Sequence, residues 1–265
     1  VETYLEHAPA PRRRPMVAPA AECDAGDLAK ATQNPVADLI SVPFQENLNF
    51  GVGPGDDVQS VLNIQPVVPL SLNEDWNLVT RTILPVVYQP RLAPGIDSDF
   101  GLGDTTFTAF LSPAKPGKVI WGAGPVILLP TSTGDTLGAG EWGLGPSAVA
   151  LTMRGPWVGG ALVSNVTSFE GNVNQFLMQP FVNYNLPEGW YLVTAPVVTA
   201  NWEASGSNRW TVPLGAGAGR VFTIGNQPVN AGLQVYHHVE RPTCASDWSI
   251  RLQIQLLFPK KRGPS

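Results

Sequence analysis

Between Val36 and Phe258 apolar and polar residues alternate along long stretches of the chain. A period of two places alternate residues on opposite faces of a β-strand. In Trp248–Phe258 one face reads Trp248, Ile250, Leu252, Ile254, Leu256 and Phe258. The other reads Ser249, Arg251, Gln253, Gln255 and Leu257. In Trp76–Tyr88 the lone charge, Arg81, falls on the face of Asn77 and Val79. In Asn174–Leu186, Phe176, Met178, Val182 and Tyr184 oppose Gln175, Gln179, Asn183 and Asn185. In Val61–Leu70, Leu62, Ile64, Val68 and Leu70 oppose Asn63 and Gln65. Alternation is weak in Trp157–Phe169 and Trp210–Phe222.

The segments are long. Strands of soluble proteins run roughly 5–6 residues, whereas a bilayer-crossing strand needs about 9–11. Twelve segments are predicted: 37–50, 58–70, 76–88, 104–112, 119–130, 142–152, 157–169, 174–186, 190–202, 210–222, 229–238 and 248–258. Short connections rich in turn residues, such as Pro187–Gly189 and Thr223–Pro228, alternate with longer ones, such as Gln89–Gly103 and Thr131–Glu141. Even strand counts, short periplasmic turns and long outer loops mark outer-membrane barrels. The expected fold is all-β: a transmembrane, antiparallel, up-and-down barrel of about 12 strands, with both termini periplasmic.

The tryptophans support a bilayer. Trp76, Trp121, Trp142, Trp157, Trp190, Trp202, Trp210 and Trp248 all fall at or near segment ends, and Tyr88 ends the segment that Trp76 begins. Such rings concentrate at membrane–water interfaces. These nine residues are therefore the expected membrane-interface girdle.

Composition changes the picture in one respect. Only 14% of the 265 residues are charged, against about 25% in soluble domains. Gly (27) and Pro (26) are abundant, which disfavours a helical bundle. The longest apolar run, Val119–Pro130, is interrupted by Gly and Pro and too short for a membrane helix. A net charge of −5, with basic clusters only at Arg12–Arg14 and Lys260–Arg262, excludes a nucleic-acid partner. Cys23 and Cys244 fit no metal spacing and read as unrelated thiols. Residues 1–35 read as a flexible periplasmic extension, with a short helix over Ala21–Gln33. Residues 36–258 read as the barrel, and 259–265 as a polar tail.

Several stretches resemble bacterial outer-membrane proteins labelled "transporter" or, misleadingly, "neuromedin U". These are Gln33–Gln45, Asn63-Ile64-Gln65-Pro66-Val67-Val68-Pro69, Trp76–Ile83, Phe100-Gly101-Leu102-Gly103-Asp104, Leu111–Gly117, Val182–Pro187 and Asn208–Pro213. The chain is also similar to the barrel group named after the meta-pathway of phenol degradation. The resemblance spans about residues 33–260 and implies an outer-membrane barrel with a transport role.

The amide-bearing faces are the candidate chemistry. Asn63, Gln65, Asn77, Arg81, Gln175, Gln179, Asn183, Arg251, Gln253 and Gln255 are expected to line the lumen and meet solute. Few charges among many amides suit small neutral or weakly polar solutes, including aromatic or hydrophobic ones. A twelve-stranded lumen should be narrow or plugged. The expected role is therefore a channel or transporter working by passive or gated diffusion. The alternatives are a plugged structural or surface-interaction barrel and an outer-membrane hydrolase using His237 or His238 with Ser249. A soluble sandwich is the remaining alternative fold. No enzyme activity, cofactor or metal is expected. Expected partners are the outer-membrane bilayer, small solutes, and the barrel-assembly machinery, which would read the C-terminal strand ending at Phe258.

Overall fold

The computed structural model describes residues 25–93 and 95–259. Residues 1–24 and 260–265, with both basic clusters and Cys23, lie outside the described residues. A helix, α1 (Ala25–Thr32), precedes fifteen strands. These are β1 (Leu39–Val52), β2 (Asp57–Ile64), β3 (Val67–Ser71), β4 (Trp76–Gln89), β5 (Asp99–Leu102), β6 (Thr105–Pro113), β7 (Ile120–Leu129) and β8 (Gly143–Arg154). There follow β9 (Trp157–Ser168), β10 (Asn174–Asn185), β11 (Trp190–Thr194), β12 (Val198–Asn201), β13 (Trp210–Ile224), β14 (Gln227–Glu240) and β15 (Trp248–Pro259).

Three strand pairs each act as one stave. β2 and β3 keep a single register against β1, with Phe44 opposite Ile64 and Ser41 opposite Val67. β11 and β12 keep one register against β10, and β5 and β6 both pair with β4. The result is twelve antiparallel staves. β1 pairs with β15 and β9 with β10, so the ring closes. Closure removes every sheet edge, which lipid would otherwise leave without hydrogen-bond partners.

The breaks follow proline. Pro66 separates β2 from β3 and donates no hydrogen bond. Pro196 separates β11 from β12, opposite Pro180 of β10 in the continuing register. The turn expected over Thr223–Pro228 is tighter than the sequence suggested. Ile224 pairs with Gln227, leaving Gly225 and Asn226 as a two-residue hairpin loop with Gly225 at φ 60°. Glycine reaches that conformation without strain, so Pro228 is paired within the strand.

The outer wall is apolar. Ile254, Leu252, Leu233 and Leu214 are among its exposed side chains. Aromatic rings form a band at each end. At the end carrying the described termini, Trp76 packs edge-on against Trp121, Trp157 lies 4.7 Å from Tyr184, and Trp190 sits under Arg220. At the far end Trp202 and Trp210 cluster with Phe176, Trp248 stacks on His237, and Tyr88 and Trp142 are exposed.

The interior has two halves. Val79, Phe110, Val149, Leu151, Val158, Leu162 and Phe181 pack together inside β4, β6 and β8–β10. This explains the weak alternation of β9: it meets an apolar interior on one face and lipid on the other. Amides line the other half, on β1, β14 and β15, joined by Gln65 and by Gln179 and Asn183 of β10.

The N-terminal segment differs from the expected flexible extension in its described part. α1 buries Leu28 and Ala29 against inward-facing Tyr191, Val193, Val221 and Leu257. Gln33 and Asn185 exchange amide hydrogen bonds of 2.9 and 3.1 Å. Asp27 in the first turn and Lys30 in the last suit the helix dipole. The segment is held because Leu28, Ala29 and Val36 and the Gln33 amide meet matching partners inside the barrel.

Ile254 is 55% exposed halfway along β15, whereas its neighbour Gln253 faces the lumen. Ile254→Arg is expected to lower folding stability in lipid by about 2–4 kcal/mol, and Gln253→Arg by far less. Urea titration of folding into vesicles checks both.

Candidate functional site

The amide half of the interior encloses a cavity of about 190 Å³. Its floor is residues 31–35 and 37, the end of α1 and the chain following it. Its walls include Gln45, Gln65, Arg81, Gln179, Asn183, Asn230, Gln234, Arg251, Gln253 and Gln255, with Phe181, Leu162 and Tyr191 as apolar contacts. Above it a further amide chain climbs toward the far end. Asn49 donates to Gln59 at 2.8 Å, and Gln59 donates to Gln89 at 2.6 Å.

Two tyrosines organise the wall, and β13 makes room for them. Its inward face is Gly215, Gly217, Gly219 and Val221. A Cβ on Gly219 would collide with the Tyr191 ring, and one on Gly215 with Tyr236. Tyr191 donates its hydroxyl to Asn230 at 2.7 Å, and Asn230 donates to Gln255 at 3.1 Å. Tyr236 donates to Gln234 and accepts the Ala195 N–H at 3.0 Å.

Ala195 lies at the proline break between β11 and β12, where the strand ladder is interrupted. Buried backbone groups must find partners, and here side chains from neighbouring strands of the wall supply them. The Ala195 carbonyl accepts Arg251 Nη1 at 2.9 Å and Gln179 Nε2 at 3.4 Å. Arg251 also donates Nε to Asn47 at 3.1 Å, and its guanidinium lies 5.1 Å from the Tyr236 ring centroid. Arg81 donates Nη2 to Gln65 at 2.6 Å. Both arginines line the same cavity.

Of the ten residues expected in the lumen, Gln65, Arg81, Gln179, Asn183, Arg251, Gln253 and Gln255 line this cavity. Asn63 pairs with Gln45 and so shares the inward face, outside the cavity. Asn77 pairs with Ser112 near the terminal end, and Gln175 is exposed at the far end. Sequence reasoning passed over Gln45, Asn47, Asn230, Gln234, Tyr191 and Tyr236. The signal was present: Asn230, Gln234 and Tyr236 alternate with Ala231, Leu233 and Val235.

His237 and His238 point to opposite faces, as neighbours on a strand do. His238 Nδ1 lies 2.8 Å from the Ser246 carbonyl, which only accepts, so Nδ1 carries the proton. Its Nε2 is then the acceptor facing the Ser249 hydroxyl at 3.3 Å. Arg241 pairs with Asp247, and Asp247 O lies 3.1 Å from His237 Nδ1. These contacts fasten the 241–247 loop to the barrel. Among the described residues no His, Cys, Asp and Glu cluster fits a metal ion, and Cys244 is a free, exposed thiol.

The sequence matches no protein-family model and no curated protein. Solved structures share the fold. An outer membrane channel from Pseudomonas putida F1 superposes with a TM-score of 0.63 at 16% identity, covering 83% of this chain and 94% of that one. Outer membrane phospholipase A from Escherichia coli gives a TM-score of 0.45 at 12% identity, covering 84% and 97%. The CymD monoaromatic hydrocarbon channel gives 0.44 at 10% identity, covering 91% and 92%. The chain has the fold of an outer-membrane β-barrel.

Tyr236 is almost wholly buried, and its hydroxyl serves the Ala195 N–H. Tyr236→Phe is expected to cost about 1–3 kcal/mol, the penalty of an unsatisfied buried donor. Gly219→Val, which displaces Tyr191, is expected to destabilise as well. Unfolding of both variants in detergent, followed by tryptophan fluorescence, checks this.

Proposed function

We propose that this barrel is an outer-membrane channel for small, weakly polar solutes, which cross by diffusion through the amide-lined half of the lumen. One observation carries the reading: a closed barrel keeps a polar cavity beside a packed apolar half. A barrel with a purely structural role has no need of such a space. Amide linings exchange hydrogen bonds with water and with solute at similar strength, so a weakly polar solute is neither trapped nor repelled. The apolar side chains at the cavity edge, Phe181 and Leu162, extend the range to aromatic and hydrophobic solutes.

The segment containing α1 acts as a gate at the periplasmic end. The short turns and both described chain ends at that end support the orientation. Its hold on the barrel includes one short helix, the buried side chains of Leu28, Ala29 and Val36, and an amide pair. We also infer that the final strand, with apolar and polar residues alternating up to Phe258, is the segment that barrel-assembly machinery reads.

Reconstitution of the full chain in a planar bilayer tests the reading. Discrete conductance steps are expected. Leu28→Asp, which places a charge where α1 is buried, is expected to raise the conductance severalfold. Absence of conductance in both proteins, with folded barrels verified on unheated gels, overturns the channel.

A further inference from the structure

The two arginines of the cavity lack what buried charge ordinarily requires. Each guanidinium carries five N–H donors and a fixed positive charge. One donor of Arg81 and two of Arg251 meet protein acceptors, and all three acceptors are neutral amides. The ion pairs among the described residues are Arg91–Asp97, Lys115–Asp75, Arg220–Glu188 and Arg241–Asp247, all away from the cavity. Among the described residues no Asp or Glu lines the cavity. Arg251 is 8% exposed.

Burying one unpaired charge is costly. Here two like charges line one small space. Most of their N–H groups remain available, and the surrounding amides add neutral donors. The same cavity touches Phe181, Leu162 and Val193, so its lining is polar on one side and apolar on the other.

We propose that this cavity binds a small organic carboxylate, with the carboxylate held by Arg81 and Arg251 and the apolar body against Phe181 and Leu162. The proposal rests on the channel reading and names its class of solute. A carboxylate neutralises the pair and accepts several charge-assisted hydrogen bonds, which are stronger than those of a neutral amide. A cation is repelled. An uncharged solute of the same shape gains the apolar contact and hydrogen bonds to a neutral acceptor, which are weaker. The volume of about 190 Å³ limits the ligand to a small body such as a single ring.

Benzoate and benzamide are the probes, since they share a ring and differ in charge at neutral pH. Isothermal titration of the full chain in detergent is expected to show at least tenfold tighter binding of benzoate. Arg81→Gln is expected to remove that preference, weakening benzoate far more than benzamide. Arg251→Gln should do the same, and unheated gels verify that each variant is folded. Equal affinity of wild type for both probes overturns the proposal, whatever the variants do. Equal binding of sulfate overturns the organic class. Conductance without benzoate preference leaves the channel and removes the site. Benzoate preference without conductance leaves the site and removes the channel.

Discussion

A wall that faces hydrocarbon must close its own backbone hydrogen bonds, because lipid offers no partners. The rest of this structure depends on that constraint. Twelve staves meet it by joining into a ring. Where proline interrupts the ring, another donor or acceptor has to step in. At Ala195 the substitutes come from inside: Tyr236, Arg251 and Gln179 reach the exposed peptide. Polar side chains in the lumen thus do two things at once. They complete the wall, and they present functional groups to whatever occupies the cavity.

The interior is divided so that these demands do not compete. On the side of β4, β6 and β8–β10 apolar side chains pack as in any protein core. On the β1, β14 and β15 side, amides hold one another in a network with space left between them. The glycine face of β13 belongs to this arrangement. Without Cβ atoms there, Tyr191 and Tyr236 lie flat against the wall and aim their hydroxyls at Asn230 and Ala195. The glycines of one strand therefore set the positions of polar atoms contributed by two others.

Much of the architecture was legible in the sequence, because lipid imposes a simple code. Where a strand has lipid outside and amides inside, as in β4 and β15, period-two alternation reveals both faces. Tryptophans at strand ends mark the two interfaces independently. The code failed where the interior is itself apolar: β9 shows Val158 and Leu162 inside and Val163 outside, so nothing alternates. It also failed where the informative group is backbone. Nothing in the residue type of Ala195 announces that its peptide is an acceptor for Arg251. The role of the β13 glycines left no local signal, because it depends on tyrosines far away in sequence. The helix over 25–32 was anticipated, but its seat inside the mouth was not, because eight residues with two apolar contacts leave little pattern.

The alternation that builds the wall has a consequence before the wall exists. An unfolded chain is retained in a membrane when it offers about twenty consecutive apolar residues. Here every lipid-facing side chain is followed by one destined for the interior, and in the most exposed staves that neighbour is an amide or an arginine. The mean hydropathy is +0.02, and no described helix is long and apolar enough to cross a membrane. Gln253 and Arg251 therefore act first as interruptions. They let a chain with an oily exterior travel through a first membrane and an aqueous space without stopping, and its hydrophobic surface comes into being only when the ring closes.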